Sequence, residues 1–394
     1  MHTIHLKKGR EASLLRHHPW VFSGAIDRIT GQPASGSTVR VVDHGGNLLG
    51  IGGYSPQSQI RVRLYTFHEA TIDREFLTQA VTRALAKRSH LLGPQRSACR
   101  LIFGESDGLP GLVVDRYNDV LVCQILFAAM EVWKPELIDI LREATGCSAI
   151  YERSDASVRE KEGLQPRAGL LWGELPDSEI VIQEYGIEMG VDVVAGQKTG
   201  FYLDQAENRR ILASYCRDKN VLNCFSYTGG FSVAALKGGA SHVTSIDSSA
   251  PALAAAQSNV ARNGFDASRH DTREGSVFNI LREMQQQQQR FDLIILDPPK
   301  FADNKSQVIK AGRAYKDLAL QAVKLLPPGG KLVSFSCSGA IDLNLFQKIT
   351  ADALLDAGRQ GEVVRYLHQG EDHPVGLAFP ESQYLKGLIC RINE

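Results

Sequence analysis

The chain has 394 residues, of which 43% are hydrophobic and 22% are charged, with 44 basic and 44 acidic side chains. This length predicts two or three domains, and a formal charge of zero excludes a polycation that binds nucleic acid through its overall charge. Because no apolar run reaches the ~18 residues of a membrane span and residues 1–10 lack the apolar segment of a signal peptide, we expect a cytoplasmic protein without membrane contact.

Residues 37–67 predict a small β-rich domain. Three runs alternate apolar and polar residues, as half-buried strands do: 38–43, 48–54 and 59–65. In the third run one face is expected to carry Gln59, Arg61, Arg63 and Tyr65. Together with Lys7, Lys8 and Arg10, the two arginines predict a basic surface that suits phosphate groups. A solvated strand face without a partner is the alternative.

Residues 71–190 predict a central α+β domain. Helical spacing of apolar residues covers 73–92 and 133–145, and a strand is predicted at 149–153. One hairpin is predicted around Asn118 and Asp119, and another around Gly186. No residue pattern in this region indicates chemistry.

Residues 191–394 alternate strand and helix patterns. The predicted strands are 220–224, 242–246, 291–296 and 330–336, and a predicted helix follows each one, at 230–238, 250–263, 311–326 and 343–357. Repeated strand–helix units predict a parallel, doubly wound sheet, which binds ligands at the carboxyl ends of its strands. The fold class is therefore α/β in this half of the chain.

Two features at predicted strand ends suit a nucleoside. The first strand runs into Ser226-Tyr-Thr-Gly-Gly, a glycine turn that lacks both the GxGxxG pattern and a P-loop lysine. Such a turn fits a compact nucleoside better than a pyrophosphate. The second strand ends at Asp247, where an acid is placed to accept ribose hydroxyls. A helix-cap glycine and a strand-end or capping aspartate are the structural alternatives.

The next two strands end in Asp297-Pro-Pro-Lys-Phe and in Phe335-Ser-Cys-Ser-Gly. Prolines fix the backbone after Asp297 and hold its carboxylate at the sheet edge, although prolines also end ordinary strands. Cys337 would lie at the same edge, where a thiolate is able to attack C6 of a pyrimidine. A buried structural cysteine is the alternative.

These motifs, together with Lys198-Thr-Gly-Phe-Tyr-Leu-Asp-Gln, resemble the bacterial ribosomal RNA large subunit methyltransferase I family. The resemblance extends upstream to His18-Pro-Trp-Val-Phe and downstream to Asp372-His-Pro-Val and Tyr384-Leu-Lys-Gly, so it covers nearly the whole chain. It implies a PUA RNA-binding domain in residues 1–70 and a connecting domain in residues 71–190. It also implies a Rossmann-like class I methyltransferase domain in residues 191–394.

The resemblance implies S-adenosylmethionine as cofactor, no metal, and C5 of a cytosine in 23S rRNA as target. Cys337 would be the nucleophile, with Asp297 beside the base. The residues assigned to the cofactor site are Tyr202, Asp204, Asn223, Phe225, Tyr227, Gly229, Asp247, Ser276 and Asp297. The residues assigned to RNA are Lys7, Lys8, Arg10, Arg61, Arg63 and Lys300. Ser276 stands where related enzymes often have an acid, so we expect an uncharged contact to adenine.

Two other functions remain open at this point. One is methylation of a guanine or adenine nitrogen, for which Cys337 would be dispensable. The other is a cofactor-sensing RNA-binding protein without turnover. The sequence also leaves open whether the substrate is free rRNA or a large-subunit precursor, which base removes the C5 proton, and whether the chain forms a homodimer.

Overall fold

A computed structural model describes residues 2–302 and 304–394. The contacts between residues group the chain into two compact units. Unit 1 contains residues 2–183, 191–203 and 371–382, and unit 2 contains residues 184–190, 204–370 and 383–394. The units thus do not follow the chain order, and the predicted domain boundaries at residues 70 and 190 stay a prediction. None of the described helices is both long and apolar enough to span a membrane.

The first part of unit 1 is a six-stranded sheet. Its elements are β1 (His2–Leu6), α1 (Ala12–Leu15), β2 (Trp20–Phe22), β3 (Ile26–Thr30), β4 (Thr38–Val42), β5 (Leu48–Tyr54) and β6 (Ile60–Thr66). The strand order is β2-β6-β5-β4-β1-β3. The three strands predicted between residues 38 and 65 are confirmed to within one residue. Apolar side chains such as Ile4, Val39 and Val62 form a core cluster of this sheet.

The predicted exposed face of β6 is wrong for Arg63 and Tyr65, which are only 8% and 7% exposed. The Arg63 guanidinium donates to Glu105 at 2.7 Å and to Glu162 at 3.1 Å, and it also lies 5.5 Å from the Trp20 ring centroid. Alternation distinguishes two strand faces but does not say whether a second layer covers the polar one. Here two carboxylates from later in the chain compensate the buried charge.

The second part of unit 1 contains a five-stranded sheet of order β11-β10-β9-β8-β7. The elements here are α2 (Arg74–Arg88), β7 (Ala98–Phe103), β8 (Leu112–Tyr117), β9 (Val120–Ile125), α3 (Ala128–Val132), α4 (Lys134–Thr145), β10 (Ala149–Ser154), α5 (Val158–Lys161), β11 (Arg167–Gly173) and β12 (Ile180–Glu184). The next strand, β13 (Ile187–Val191), belongs to unit 2 except for Val191. The predicted helices, hairpins and strand of this region are confirmed. Asp73 caps α2 by accepting from the Phe76 amide at 2.9 Å, which explains where that helix begins.

Unit 2 is built on a seven-stranded sheet. Its elements are α6 (Ala206–Ala213), β14 (Asn220–Cys224), α7 (Gly230–Lys237), β15 (His242–Asp247), α8 (Ala250–Arg262), β16 (His270–Glu274), α9 (Val277–Gln286), β17 (Leu293–Leu296), α10 (Val308–Val323), β18 (Lys331–Ser336), α11 (Leu343–Asp356), β19 (Gly361–His368) and β20 (Lys386–Ile392). Short 3-10 helices also occur along the chain, at Ser23–Ala25, Ser89–Leu91, Gly104–Asp107, Leu203–Gln205, Ala267–Arg269, Lys305–Gln307 and Pro380–Ser382. The four predicted strand–helix units are confirmed.

The strand order of this sheet is β16-β15-β14-β17-β18-β20-β19. The first five strands are parallel to one another, whereas β20 is antiparallel to both β18 and β19. From β14 the chain builds the sheet first toward β16 and then, from β17, in the other direction. This reversal is the topological switch point, beside which open α/β sheets bind ligands.

Candidate active site

The loop after β14 has a backbone conformation that few sequences adopt. Phe225, Tyr227 and Gly229 have φ angles of 60°, 48° and 81°. Positive φ costs non-glycine residues about 1–3 kcal/mol and is concentrated at functional sites. A Cβ on Gly229 would lie 2.8 Å from the Ala256 Cβ in α8, so this position requires glycine. The loop therefore approaches α8 closely and keeps its backbone near the carboxyl end of β14.

Three polar atoms of this loop region are buried and have no hydrogen-bond partner among residues 2–302 and 304–394: Asn223 Oδ1, Ser226 Oγ and Thr228 Oγ1. The Asn223 amide is oriented, because its Nδ2 donates to Ser232 Oγ at 2.8 Å. A buried polar atom without a partner costs about 1–3 kcal/mol. A polar ligand such as a nucleoside offers the missing hydrogen bonds, so this loop fits the predicted cofactor.

The Asp247 carboxylate lies next to this loop at the end of β15. One oxygen accepts from the Tyr227 amide at 2.8 Å, and the other accepts from the Ser249 amide at 3.0 Å. A carboxylate has about four acceptor sites, so each oxygen retains capacity for one hydroxyl of a diol. The cap of α8 is Ser249, whose side chain accepts from the Ala252 amide, and not Asp247 itself.

The loop after β16 is hydrogen-bonded to the end of β15. The Gly275 amide donates to the Asp247 carbonyl at 2.9 Å. Ser276 precedes α9, is exposed and makes no side-chain capping bond. Its hydroxyl is therefore not committed to the helix, and its predicted contact with adenine stays a prediction.

Asp297, directly after β17, is held by a side chain that the sequence reasoning missed. Its Oδ2 accepts from Gln205 Nε2 at 3.0 Å, and Gln205 is only 2% exposed. Gln205 in turn accepts from Asn208 of α6 at 2.6 Å. The signal for Gln205 was its place at the end of the motif 198–205. This chain of hydrogen bonds fixes the orientation of the Asp297 carboxylate.

Cys337 lies directly after β18 and is half-buried, whereas the other six cysteines are buried. Burial raises the pKa of Cys99, Cys123 and Cys216 to about 12, which disfavours a thiolate at those positions. Cys337 thus has the accessibility that the other thiols lack.

The residues on either side of Cys337 are anchored. Ser336 and Ser338 are fully buried; the Ser336 hydroxyl donates to the Tyr315 hydroxyl at 3.0 Å, and Ser338 Oγ lies 3.1 Å from it. Ser338 Oγ also accepts from the Ala302 amide at 3.2 Å, which ties the segment after Asp297 to the segment around Cys337. Tyr315 in α10 was not foreseen from the sequence.

Some predicted site residues have other contacts in the structure. The Asp204 carboxylate is buried and accepts from the Tyr384 hydroxyl at 2.6 Å. Tyr202 belongs to unit 1, where its hydroxyl donates to Gln197 at 2.5 Å. Lys300 is exposed. The predicted ligand contacts of these three residues stay predictions.

Comparison with known proteins gives concordant results. A family model for a PUA-like domain matches residues 4–67, and a model for S-adenosylmethionine-dependent methyltransferases matches residues 119–376. A ribosomal RNA large subunit methyltransferase I of Shewanella denitrificans is 52% identical over 99% of both chains, and one of Tolumonas auensis is 50% identical over 99% of both. The crystal structure of SMU.776, described as a methyltransferase complexed with SAH, superposes with a TM-score of 0.87 over 99% of this chain and 100% of that one. At 23% identity it supports the fold alone.

Proposed function

The chain belongs to the ribosomal RNA large subunit methyltransferase I family of S-adenosylmethionine-dependent enzymes, and we propose that it methylates C5 of a cytosine in 23S rRNA through a covalent Cys337 adduct. The family resemblance inferred from the motifs is confirmed, as are the PUA-like region, the methyltransferase fold and the cofactor. The position of the modified atom and the covalent step are the proposal.

The observation that carries the proposal is the placement of Cys337. It follows β18, while Asp297 follows the adjacent parallel strand β17, so both lie at the carboxyl edge of the sheet. Asp247 ends β15 at the same edge. Cys337 is thus a half-buried thiol at the edge of the sheet where ligands bind, whereas the six remaining cysteines are buried.

The residues of the chain have separate tasks in this reaction. Bound S-adenosylmethionine supplies a methyl group activated by the positive sulfonium. Residues 225–229, called here the glycine loop, and Asp247 hold the nucleoside part of that cofactor. Asp297, oriented by Gln205, hydrogen-bonds N3 or the exocyclic amine of cytosine and so assists nucleophilic addition.

The proposed reaction proceeds through a covalent bond between Cys337 and the base. The Cys337 thiolate forms a bond to C6, and the electron pair of the C5–C6 double bond moves to C5. C5 then forms its bond to the methyl group while the bond between that methyl group and the sulfonium sulfur breaks, and the electron pair of the broken bond stays on the sulfur, which becomes a neutral thioether. A base removes the C5 proton, the remaining electrons restore the double bond, and Cys337 leaves as a thiolate.

We also propose that RNA phosphates contact basic residues of the PUA-like region. Lys7, Lys8 and Arg10 are exposed, and Arg61 is half-buried. Lys300, exposed after Asp297, is proposed to contact RNA beside the target base. Arg63 is not part of this proposal, because both of its carboxylate partners are internal.

The test is the Cys337→Ala variant of the full chain. We expect methyl incorporation into rRNA to be abolished while cofactor binding is kept, since the thiolate acts after cofactor binding. RNA with 5-fluorocytosine at the target is expected to trap the wild-type enzyme as an adduct, because fluorine does not leave as a proton does. Gel electrophoresis under denaturing conditions detects the adduct. Cys147→Ala, which removes a buried thiol elsewhere, is the control and should still form it.

Other functions give different outcomes. An enzyme that methylates a base nitrogen would form no adduct and would tolerate Cys337→Ala within about tenfold, or 1.4 kcal/mol of barrier. A protein that only senses the cofactor would incorporate no methyl group in any variant. Retained activity in Cys337→Ala contradicts the C5 proposal and leaves the family assignment intact.

A further inference from the structure

A buried lysine lies opposite the residue that precedes Cys337. Lys386 is the first residue of β20, and in the antiparallel pairing of β18 with β20 it is the Cα partner of Ser336. Lys386 is only 8% exposed. No step of the reaction described above uses this side chain.

The backbone after Cys337 folds over this ammonium group. Lys386 Nζ donates to the carbonyl oxygens of Ser338 and Ile341, each at 2.7 Å. Residues 337–341, called here the Cys337 loop, are therefore fastened to β20 through one cation. Replacing the ammonium with an apolar group would leave two carbonyls without this donor.

The charge of Lys386 has no carboxylate partner among the residues that the structure describes. Asp342, the nearest acid in sequence to the Cys337 loop, is exposed and uses Oδ1 to cap α11 through the Leu345 amide at 2.8 Å. The negative charges that act on this ammonium are those of Cys337 and Asp342, and a buried ammonium is costly unless an anion lies near it. A thiolate at Cys337 is such an anion.

We propose that Lys386 is a positioning residue that holds the Cys337 loop and supplies the positive charge that favours the Cys337 thiolate. The proposal rests on the proposed function in one respect, which is the role of Cys337 as nucleophile. The thiol proton passes to solvent, and the electron pair stays on sulfur next to the ammonium. Lys386 therefore acts through Cys337 and does not touch the substrate.

The electrostatic surroundings agree with this geometry. Burial lowers the pKa of the Lys386 ammonium to about 8, against the opposing effect of the negative charges of Cys337 and Asp342, while Lys300 lowers it further. The Tyr315 hydroxyl, which is hydrogen-bonded to Ser336 and Ser338, is also buried, and burial raises its pKa. Because its pKa is about 8, Lys386 is cationic over the pH range in which a cysteine beside a positive charge is expected to ionise.

The experiment measures alkylation of Cys337 by iodoacetamide as a function of pH, in the full-length protein without RNA, by mass spectrometry of the Cys337 peptide. In Lys386→Met we expect the midpoint to rise by about one pH unit and the rate at pH 7 to fall about tenfold, because only the thiolate reacts. Lys386→Arg keeps the charge and should retain a rate within about threefold of wild type. Lys348→Met, which removes an exposed lysine of α11, should leave the profile unchanged.

Two results would overturn the proposal. One is an unchanged midpoint in a Lys386→Met protein that still unfolds cooperatively. The other needs no variant: a wild-type midpoint at or above the ordinary cysteine value of about 8.5 would show that no nearby charge favours the thiolate. This second measurement keeps the proposal testable if Lys386→Met does not fold.

The alkylation result and the test of the C5 reaction are able to fail separately. Alkylation reports on the thiol alone, so a failure of the C5 proposal in Cys337→Ala leaves the Lys386 result readable. The 5-fluorocytosine adduct adds a second readout. A Lys386→Met protein that forms the adduct at the wild-type rate but does not turn over would place Lys386 after the addition step and contradict the proposal.

Discussion

The Asp247 carboxylate joins the loop after β14 to the start of α8. It accepts one backbone amide from each side, from Tyr227 and from Ser249. Because Tyr227 has a positive φ of 48°, the hydrogen bond from its amide helps to hold a conformation that the chain would otherwise avoid. One side chain thus shapes the loop and offers its remaining acceptor sites to the cofactor.

Replacing Asp247 by alanine should weaken S-adenosylmethionine binding by roughly 1.5–3 kcal/mol, since charged hydrogen bonds are lost. Isothermal titration calorimetry measures this change. The matched control is Asp271→Ala in β16, because Asp271 is an exposed carboxylate outside the loop. If Asp247→Ala binds the cofactor as tightly as wild type, Asp247 does not belong to the site.

A row of buried polar side chains, hydrogen-bonded to one another, links four elements of unit 2. Asn223 of β14 donates to Ser232 of α7 at 2.8 Å, Ser232 lies 2.7 Å from Ser245 of β15, and Ser245 lies 2.8 Å from His270 Nε2 of β16. Burial lowers the pKa of His270 to about 4. The neutral imidazole is therefore the form that the folded sheet holds.

This pKa makes the stability of unit 2 dependent on pH. The folded-state pKa lies below the ordinary histidine value of about 6.5, so the contribution is fully present above pH 6.5 and is lost as the pH falls toward 4. The loss attributable to His270 is about 3 kcal/mol in the free energy of unfolding. Differential scanning calorimetry of His270→Asn should show a smaller decrease between pH 7 and pH 4 than wild type.

The control for this measurement is His44→Gln, an exposed histidine of unit 1. Its pH dependence should equal that of wild type. If His270→Asn and wild type lose the same stability between pH 7 and pH 4, the imidazole is not the group responsible.

At the scale of the whole molecule, the two compact units carry different chemistry. The glycine loop, Asp247, Asp297 and Cys337 belong to unit 2, whereas the exposed cluster Lys7, Lys8 and Arg10 belongs to unit 1. A deletion of residues 1–68 would be a poor test of this cluster. It would also remove Arg63 and leave the buried carboxylates of Glu105 and Glu162 without their cation.

The sharper test replaces Lys7, Lys8 and Arg10 together by glutamine. We expect weaker RNA binding and a salt dependence whose logarithmic slope is smaller by about 2–3, because fewer counterions are released. Fluorescence anisotropy with an rRNA fragment at several salt concentrations measures both. Cofactor affinity should not change, since none of these three residues is among those assigned to the cofactor site.

A triple variant with equal charge loss serves as the control: Arg83→Gln, Lys324→Gln and Lys348→Gln, all at exposed positions. Its slope should stay near that of wild type. If both triple variants lower the slope equally, the effect comes from net charge, and the cluster is an ordinary solvated surface.

The sequence by itself determined the features that depend on local periodicity. Parallel buried strands are short apolar runs, so β14, β15, β17 and β18 were predicted together with the polar residues at their ends. The motifs at those ends also identified the family. Three strands of this sheet were missed. The strands β16 and β19 lie at its edges, where their largely exposed, polar sequences lack that pattern. The strand β20 is buried, but it stands outside the repeated strand–helix units because it pairs antiparallel with β18 and β19.

Only the tertiary structure decided which distant residues meet. Arg63 finds its carboxylates 42 and 99 residues away, Gln205 finds Asp297 at a separation of 92, and Lys386 is placed opposite Ser336 by strand register. Periodicity specifies that two faces of an element differ, but it does not specify what packs on either face. Burial, charge compensation and the orientation of the site therefore follow from long-range packing, which a local pattern does not encode.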